Sequence, residues 1–278
     1  MRLKLTIQYD GTDFSGSQLQ AEGRGRTVQG ELEAAVARLA GKPVRVTLAG
    51  RTDSGVHAMG QVAGLEFPHR ERLDTPQAVQ KALNGVLPGD VAVVAAEAAS
   101  EGFHARFSAR KRAYRYLLWN AQAPYPLLGR YSLHVRQTLD VKAMDRAAAL
   151  LVGTHDMAAF AGQGLGVPGQ DDDAGPSTVR CIYLSQLREM DPRAGLWAWG
   201  APEPAGGWPE SAGRLLAVDL VANAFLPQMV RTIVGTLLEV GQGKRAPGEI
   251  SEIVASRDRK RAGPAVKPQG LCLLWVEY

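Results

Sequence analysis

The chain has 278 residues, of which 45% are hydrophobic and 22% charged, the balance of a soluble globular protein with one large core or two modest ones. Its 32 Lys and Arg against 28 Asp and Glu leave a formal charge of +4, so only a cluster of cations could argue for a polyanionic partner. No apolar run is long enough to span a bilayer, and two distant cysteines, Cys181 and Cys272, exclude a disulfide framework or a thiolate metal site.

The opening MRLKLTIQYDG alternates like a strand and carries no signal-type apolar segment, so a cytoplasmic protein is expected. Five histidines without ligand spacing give no reason to expect a metal. Leu3 to Tyr9 reads as a strand, followed by the turn-rich DGTDFSGSQ. Thr27 is placed to cap a helix that Gly41 ends. VRVTLA and QVAGLEF then read as the two strands of a hairpin. Thr75-Pro76 opens a second helix, to about Val86, and Val91 to Ala98 is a fourth strand. This order, β-α-β-β-α-β, is the ferredoxin-like split unit.

A looser second round follows. Arg112 to Trp119 is a strand, Val141 to Val152 a helix, and Val179 to Leu187 and Leu215 to Val221 two strands. Leu226 to Val240 is a helix, Pro247 to Ser256 a short extra one, and Leu271 to Glu277 the last strand. The expected fold class is therefore α+β: two ferredoxin-like units, residues 1–108 and 109–278, sharing one mostly antiparallel sheet with helices on one face. Two Gly/Pro-rich loops stand out, 162–177 with Asp171-Asp172-Asp173 and 190–212 with Trp197, Trp199 and Trp208.

The hairpin loop GRTDSGVHA holds the densest set of reactive groups: Arg51, Asp53, Ser54 and His57 among Gly50, Gly55 and Gly60. Its bland interpretation is an Asx-turn with a solvated arginine. A single D-S-G triplet cannot build the paired carboxylates of an aspartic protease. No phosphate-binding loop, nucleophile elbow or dinucleotide motif occurs. Further on, FHARFSARKRAYRY places Arg110, Arg112, Tyr114 and Tyr116 on one face of a strand, with Lys111 on the other. Guanidinium groups for phosphates and rings for bases suit splayed RNA; the alternative is a charged edge strand with tyrosines half in the core. A lone carboxylate beside such a surface fits a redox-neutral isomerisation that needs no cofactor.

These segments resemble the tRNA pseudouridine synthase A family. YDGTDFSG and RTVQGELEAAV, the GRTDSGVHA loop with GQVAGLEF, LNGVLPGDVAV, FHARFSARKRAYRY, and NAFLPQMVRTIVGTLLEVGQG with the terminal QGLCLLWVEY match it in order, over nearly the whole chain. The resemblance implies that Asp53 is the catalytic aspartate and that Arg51 occupies the space left by a flipped uridine. Tyr114 would lie against the uracil ring, Arg231 would pair with the aspartate, and Leu271 would wall the pocket. His57 is a further candidate for substrate contact, and Arg110, Lys111 and Arg112 for tRNA phosphates. It implies homodimers that convert uridines 38, 39 and 40 of the tRNA anticodon arm without metal or cofactor.

Three features depart from the family pattern. Ser17 stands where tryptophan is usual, Ala113 replaces an often basic residue, and the two long loops have no family role. A non-catalytic RNA-binding protein on the same scaffold is the alternative function; it would have lost the catalytic groups, whereas Asp53, Arg51, Tyr114 and Arg231 are all present.

Overall fold

In β1 (Arg2–Tyr9), Leu3, Leu5, Ile7 and Tyr9 are buried while the residues between them are not. One face of the strand is thus packed, and each fully buried aliphatic side chain contributes about 1.5–3 kcal/mol. The computed structural model describes residues 1–20, 25–162, 177–191 and 213–278. The two long loops, with Asp171 to Asp173 and all three of their tryptophans, lie outside the described residues except for their ends.

The chain divides into two units. The first contains Met1–Ala113 and Cys272–Tyr278. After β1 comes α1 (Val28–Ala40), where the Thr27 hydroxyl accepts the Gly30 N–H at 3.2 Å and Gly41 closes the helix at φ 68°. β2 (Thr47–Leu48), β3 (His57–Glu66), α2 (Pro76–Asn84) and β4 (Val91–Ala98) follow. Thr75 caps α2 by accepting the Ala78 N–H. β1 pairs antiparallel with both β3 and β4, and β2 pairs antiparallel with β3. That is the expected β-α-β-β-α-β unit, with strand order β4-β1-β3 and β2 against β3.

The second unit is Tyr114–Leu271. β5 (Lys111–Asn120) leads into it, and β6 (Leu133–Val135) pairs with β5 in parallel. Then come α3 (Val141–Ala149), β7 (Gly153–Asp156), β8 (Val179–Met190) and β9 (Arg214–Ala222). α4 (Met229–Gly241) and α5 (Glu249–Ser256) complete it, and the strands run in the order β5-β9-β8-β7. α4 buries Met229, Val230, Ile233, Val234 and Leu237, so it is a core helix. On β9, Asp219 receives Arg115 Nε at 2.6 Å and Arg188 Nε at 3.1 Å. Burial opposes ionisation there, but the two guanidinium groups outweigh it and hold the carboxyl below the usual range.

Three expectations need correction. The last strand, β10 (Leu271–Glu277), does not simply close the second unit: it pairs in parallel with β3 through Cys272↔His57 and Leu273↔Ala58. The Tyr278 hydroxyl donates to Ala105 O at 2.7 Å, and the Arg110 N–H to Glu277 O at 2.8 Å. The division therefore falls after Ala113, with Cys272–Tyr278 returning to the first unit, and not at residue 108. The hairpin strands are also redistributed: β2 is only two residues, and β3 begins at His57, which takes the imidazole off the loop tip.

Candidate active site

The loop from Gly50 to Val56 in the first unit is shaped by its own turn and by the chain between Tyr9 and Ser17. The Val56 N–H donates to Asp53 O at 3.2 Å, which closes a four-residue turn around Asp53-Ser54-Gly55-Val56. Gly55 occupies its third position at φ 77°, a value disfavoured for residues with a Cβ. Gly11 packs directly on this turn, since a Cβ there would lie 2.0 Å from Val56 O.

Thr52, immediately before Asp53, is held three ways. Its N–H donates to Ser17 Oγ at 2.8 Å, its carbonyl accepts the Ser17 N–H at 3.0 Å, and its hydroxyl shares a 2.8 Å hydrogen bond with the Tyr9 hydroxyl. Ser17 is fully buried. Burial pushes the Tyr9 hydroxyl up to about 12, with Thr52 and Gln61 opposing, so it stays protonated at neutral pH. Gln61 Nε2 donates to Gly50 O at 2.8 Å, and the Ser54 hydroxyl to Phe14 O at 2.9 Å. Arg51 is exposed and Asp53 half-buried on the frame so formed.

Ser17 was legible in the sequence only as a departure; here it clamps the residue next to Asp53. Ser17→Ala removes the acceptor of a buried N–H, and the expected loss is about 1–3 kcal/mol of unfolding free energy, read by urea denaturation. An unchanged midpoint would mean that this hydrogen bond does not hold the loop.

The remaining candidates of the first unit have structural attachments. His57 is 5% exposed, and its Nδ1 accepts the Gly11 N–H at 3.0 Å, with Asp10 Oδ1 3.2 Å away. Its ring thus joins β3 to the turn after β1. Arg112 Nη2 donates to Ala49 O at 3.2 Å and Arg106 O at 3.0 Å, fastening the base of the loop. Lys111 pairs with Glu277 at 2.9 Å, whereas Arg110 is exposed.

Tyr114, Arg231 and Leu271 belong to the second unit. Tyr114 is 7% exposed and meets Phe225 edge-on, with centroids 5.0 Å apart at 82°. Arg231, in the first turn of α4, donates from Nε to Val266 O at 2.7 Å, and its carbonyl accepts the Val266 N–H at 3.2 Å. Leu271 is buried at the start of β10. Tyr116 is fully buried, with its hydroxyl donating to Lys267 O at 2.6 Å. Burial raises its pKa, opposed by the positive charge of Arg231. The β5 tyrosines are therefore core residues on most of their surface, not an open aromatic floor.

Phe225 of NAFLPQMVR, Tyr9 of YDG and Gln61 of GQVAG were not singled out as site residues. The signal was their place inside the quoted motifs; their partners lie too far along the chain for spacing to indicate them.

Compared with known proteins, the chain matches a family model described as tRNA pseudouridine synthase over residues 5–108 and 147–278. A tRNA pseudouridine synthase A of Chloroflexus aurantiacus is 45% identical over 276 residues, covering 99% of this chain and 88% of its own. Its counterpart in Roseiflexus is 42% identical, covering 99% and 90%. That of Moorella thermoacetica is 40% identical over 99% of each chain.

Proposed function

The chain belongs to the tRNA pseudouridine synthase family, and from that membership we propose that it isomerises uridines 38, 39 and 40 in the tRNA anticodon arm, with Asp53 as the essential carboxylate. The observation that carries this reading is the frame around Asp53. Buried polar groups fix the backbone on both sides of the carboxylate, leaving an exposed arginine two residues before it. Such preorganisation is what a group needs when it must meet one atom of a bound base.

In the reaction the uracil separates from C1′, turns over and rejoins through C5, and C5 then loses its proton. The base first leaves the helix, at a cost of a few kcal/mol in unstacking. In this proposal Arg51 fills the vacated space, the Tyr114 ring lies against the uracil, Leu271 lines the pocket, and Arg231 pairs with the aspartate. The isomerisation exchanges no electrons with the medium, so it calls for no redox cofactor, and a carboxylate with proton transfers can carry it. The same reading makes the enzyme a cytoplasmic homodimer; no helix among the described residues is long and apolar enough to cross a membrane.

Position is tested on unmodified transcripts with uridine replaced by cytidine singly at 38, 39 or 40, mapping pseudouridine by carbodiimide-dependent primer-extension stops. Stops confined to the uridines left at those positions are expected, and stops elsewhere in the tRNA would overturn the anticodon-arm assignment.

Of the three proposed phosphate contacts, Lys111 and Arg112 already bind protein groups, so the exposed Arg110 is expected to show the cleanest effect. Arg110→Ala should weaken binding to many tRNAs alike and reduce the salt slope by about one unit. A slope equal to the parent's would remove Arg110 from the interface.

A further inference from the structure

The segment between β4 and β5 carries an aromatic knuckle to which the reaction assigns no role. Phe107 is 54% exposed, and its ring stacks on His104 with centroids 4.4 Å apart at 28°. The Arg106 guanidinium lies 5.6 Å from the centre of the same ring. A single exposed apolar residue is ordinary, but this one is built into a rigid mount. His104 Nδ1 accepts the N–H groups of both Arg106 and Phe107 at 3.2 Å. The His104 N–H donates to Ser108 Oγ at 3.1 Å, and the Ser108 N–H returns to His104 O at 3.0 Å. From beneath, Arg112 holds Arg106 O and Tyr278 holds Ala105 O.

We propose that the His104–Phe107 stack, with Arg106 beside it, is a platform for an unpaired base of the bound tRNA, separate from the uridine that reacts. Three observations converge on that occupant. The stretch from Phe103 to Tyr116 contains no acid, and with Lys111 and Arg115 paired to Glu277 and Asp219 it still presents the exposed Arg106 and Arg110, whose charge favours a polyanion. An exposed ring with a guanidinium alongside is the combination that holds splayed bases while neutralising their phosphates. The knuckle is ordered by its own hydrogen bonds, so little side-chain or loop entropy is lost when a base settles on it. Tyr114 and Tyr116 are buried, so among the aromatic residues of this stretch Phe107 offers the most ring surface to an incoming base. This proposal rests on the tRNA-modifying function argued above.

The test measures binding of an unmodified tRNA transcript to the full-length protein and to Phe107→Ala, Phe107→Leu and Phe107→Trp, across a salt series. Phe107→Ala and Phe107→Leu are expected to weaken binding by about five- to a hundredfold, the range of one lost base stack. Phe107→Trp should bind like the parent, and the salt slope should stay unchanged throughout, because no charge is removed. Turnover at saturating tRNA should persist in all three variants. Parent-like binding by Phe107→Ala, or recovery of binding by Phe107→Leu, would overturn the platform. So would a fall in sedimentation coefficient without tRNA, which would assign the ring to contact between two copies of the chain. A parent that makes pseudouridine alongside a fully binding Phe107→Ala defeats this proposal alone; a parent that binds no tRNA defeats the function as well.

Discussion

Asp53→Asn is expected to abolish pseudouridine formation while tRNA affinity stays within about twofold of the parent. The substitution keeps the size of the side chain and removes its charge, so the loop frame survives. The contacts that build that frame include those of the flanking backbone and of Thr52, Tyr9, Ser17 and Gln61, all of which Asp53→Asn leaves in place. Removing a carboxylate that attacks or takes a proton commonly reduces turnover by several orders of magnitude, whereas removing a docking contact raises KM. Activity within about tenfold of the parent would end the assignment of Asp53. A loss confined to KM would move it from the chemistry to binding.

Tyr114 carries the second large effect. Tyr114→Phe keeps the ring and its edge-on contact with Phe225 but removes the hydroxyl. If that hydroxyl takes the proton from C5, the variant binds tRNA and stalls, losing roughly 10²–10⁴-fold in rate. Tyr114→Ala should also lose the ring, adding about 1–3 kcal/mol in the hold on the flipped base. The expected outcome is a combined role, with both variants slow and only the alanine variant weakened in capturing the base. Parent-like turnover by Tyr114→Ala would sink it. Tyr116 offers no substitute, being fully buried with its hydroxyl committed to Lys267 O.

What the sequence made legible was mostly local. Thr27 and Thr75 sit where a helix needs an oxygen for its first free N–H groups, and both accept those bonds. The alternation of β1 and the apolar run of α4 likewise reported their burial. β6 and β7 escaped notice because LHV and GTHD are too short to show a period. The allegiance of β10 was illegible for a different reason: element order does not say which strand edge a final strand will join, and its pairing with β3 spans more than half the chain.

The site divides in the same way. Asp53, Arg51 and Tyr114 are candidates that motifs single out, and a motif names residue types without their spatial partners. Ser17 was read as a defect because its meaning lies in Thr52, which is 35 residues away in sequence. Arg112 was assigned to phosphates on strand alternation alone, yet it donates to the carbonyls of Ala49 and Arg106. Alternation gives the face of a strand but not whether water or another segment covers it.

The most direct test of Asp53-dependent uridine isomerisation follows the proton that C5 must lose. Unmodified tRNA transcribed with tritium at C5 of uridine is incubated with the purified full-length protein in a metal-chelating buffer without added cofactor. Released tritium is counted alongside tRNA binding. Release by the parent should approach the number of target uridines in each tRNA, while Asp53→Asn binds the same tRNA and releases none. A parent that binds the tRNA but releases no tritium would contradict the account and leave an RNA-binding protein without isomerase activity.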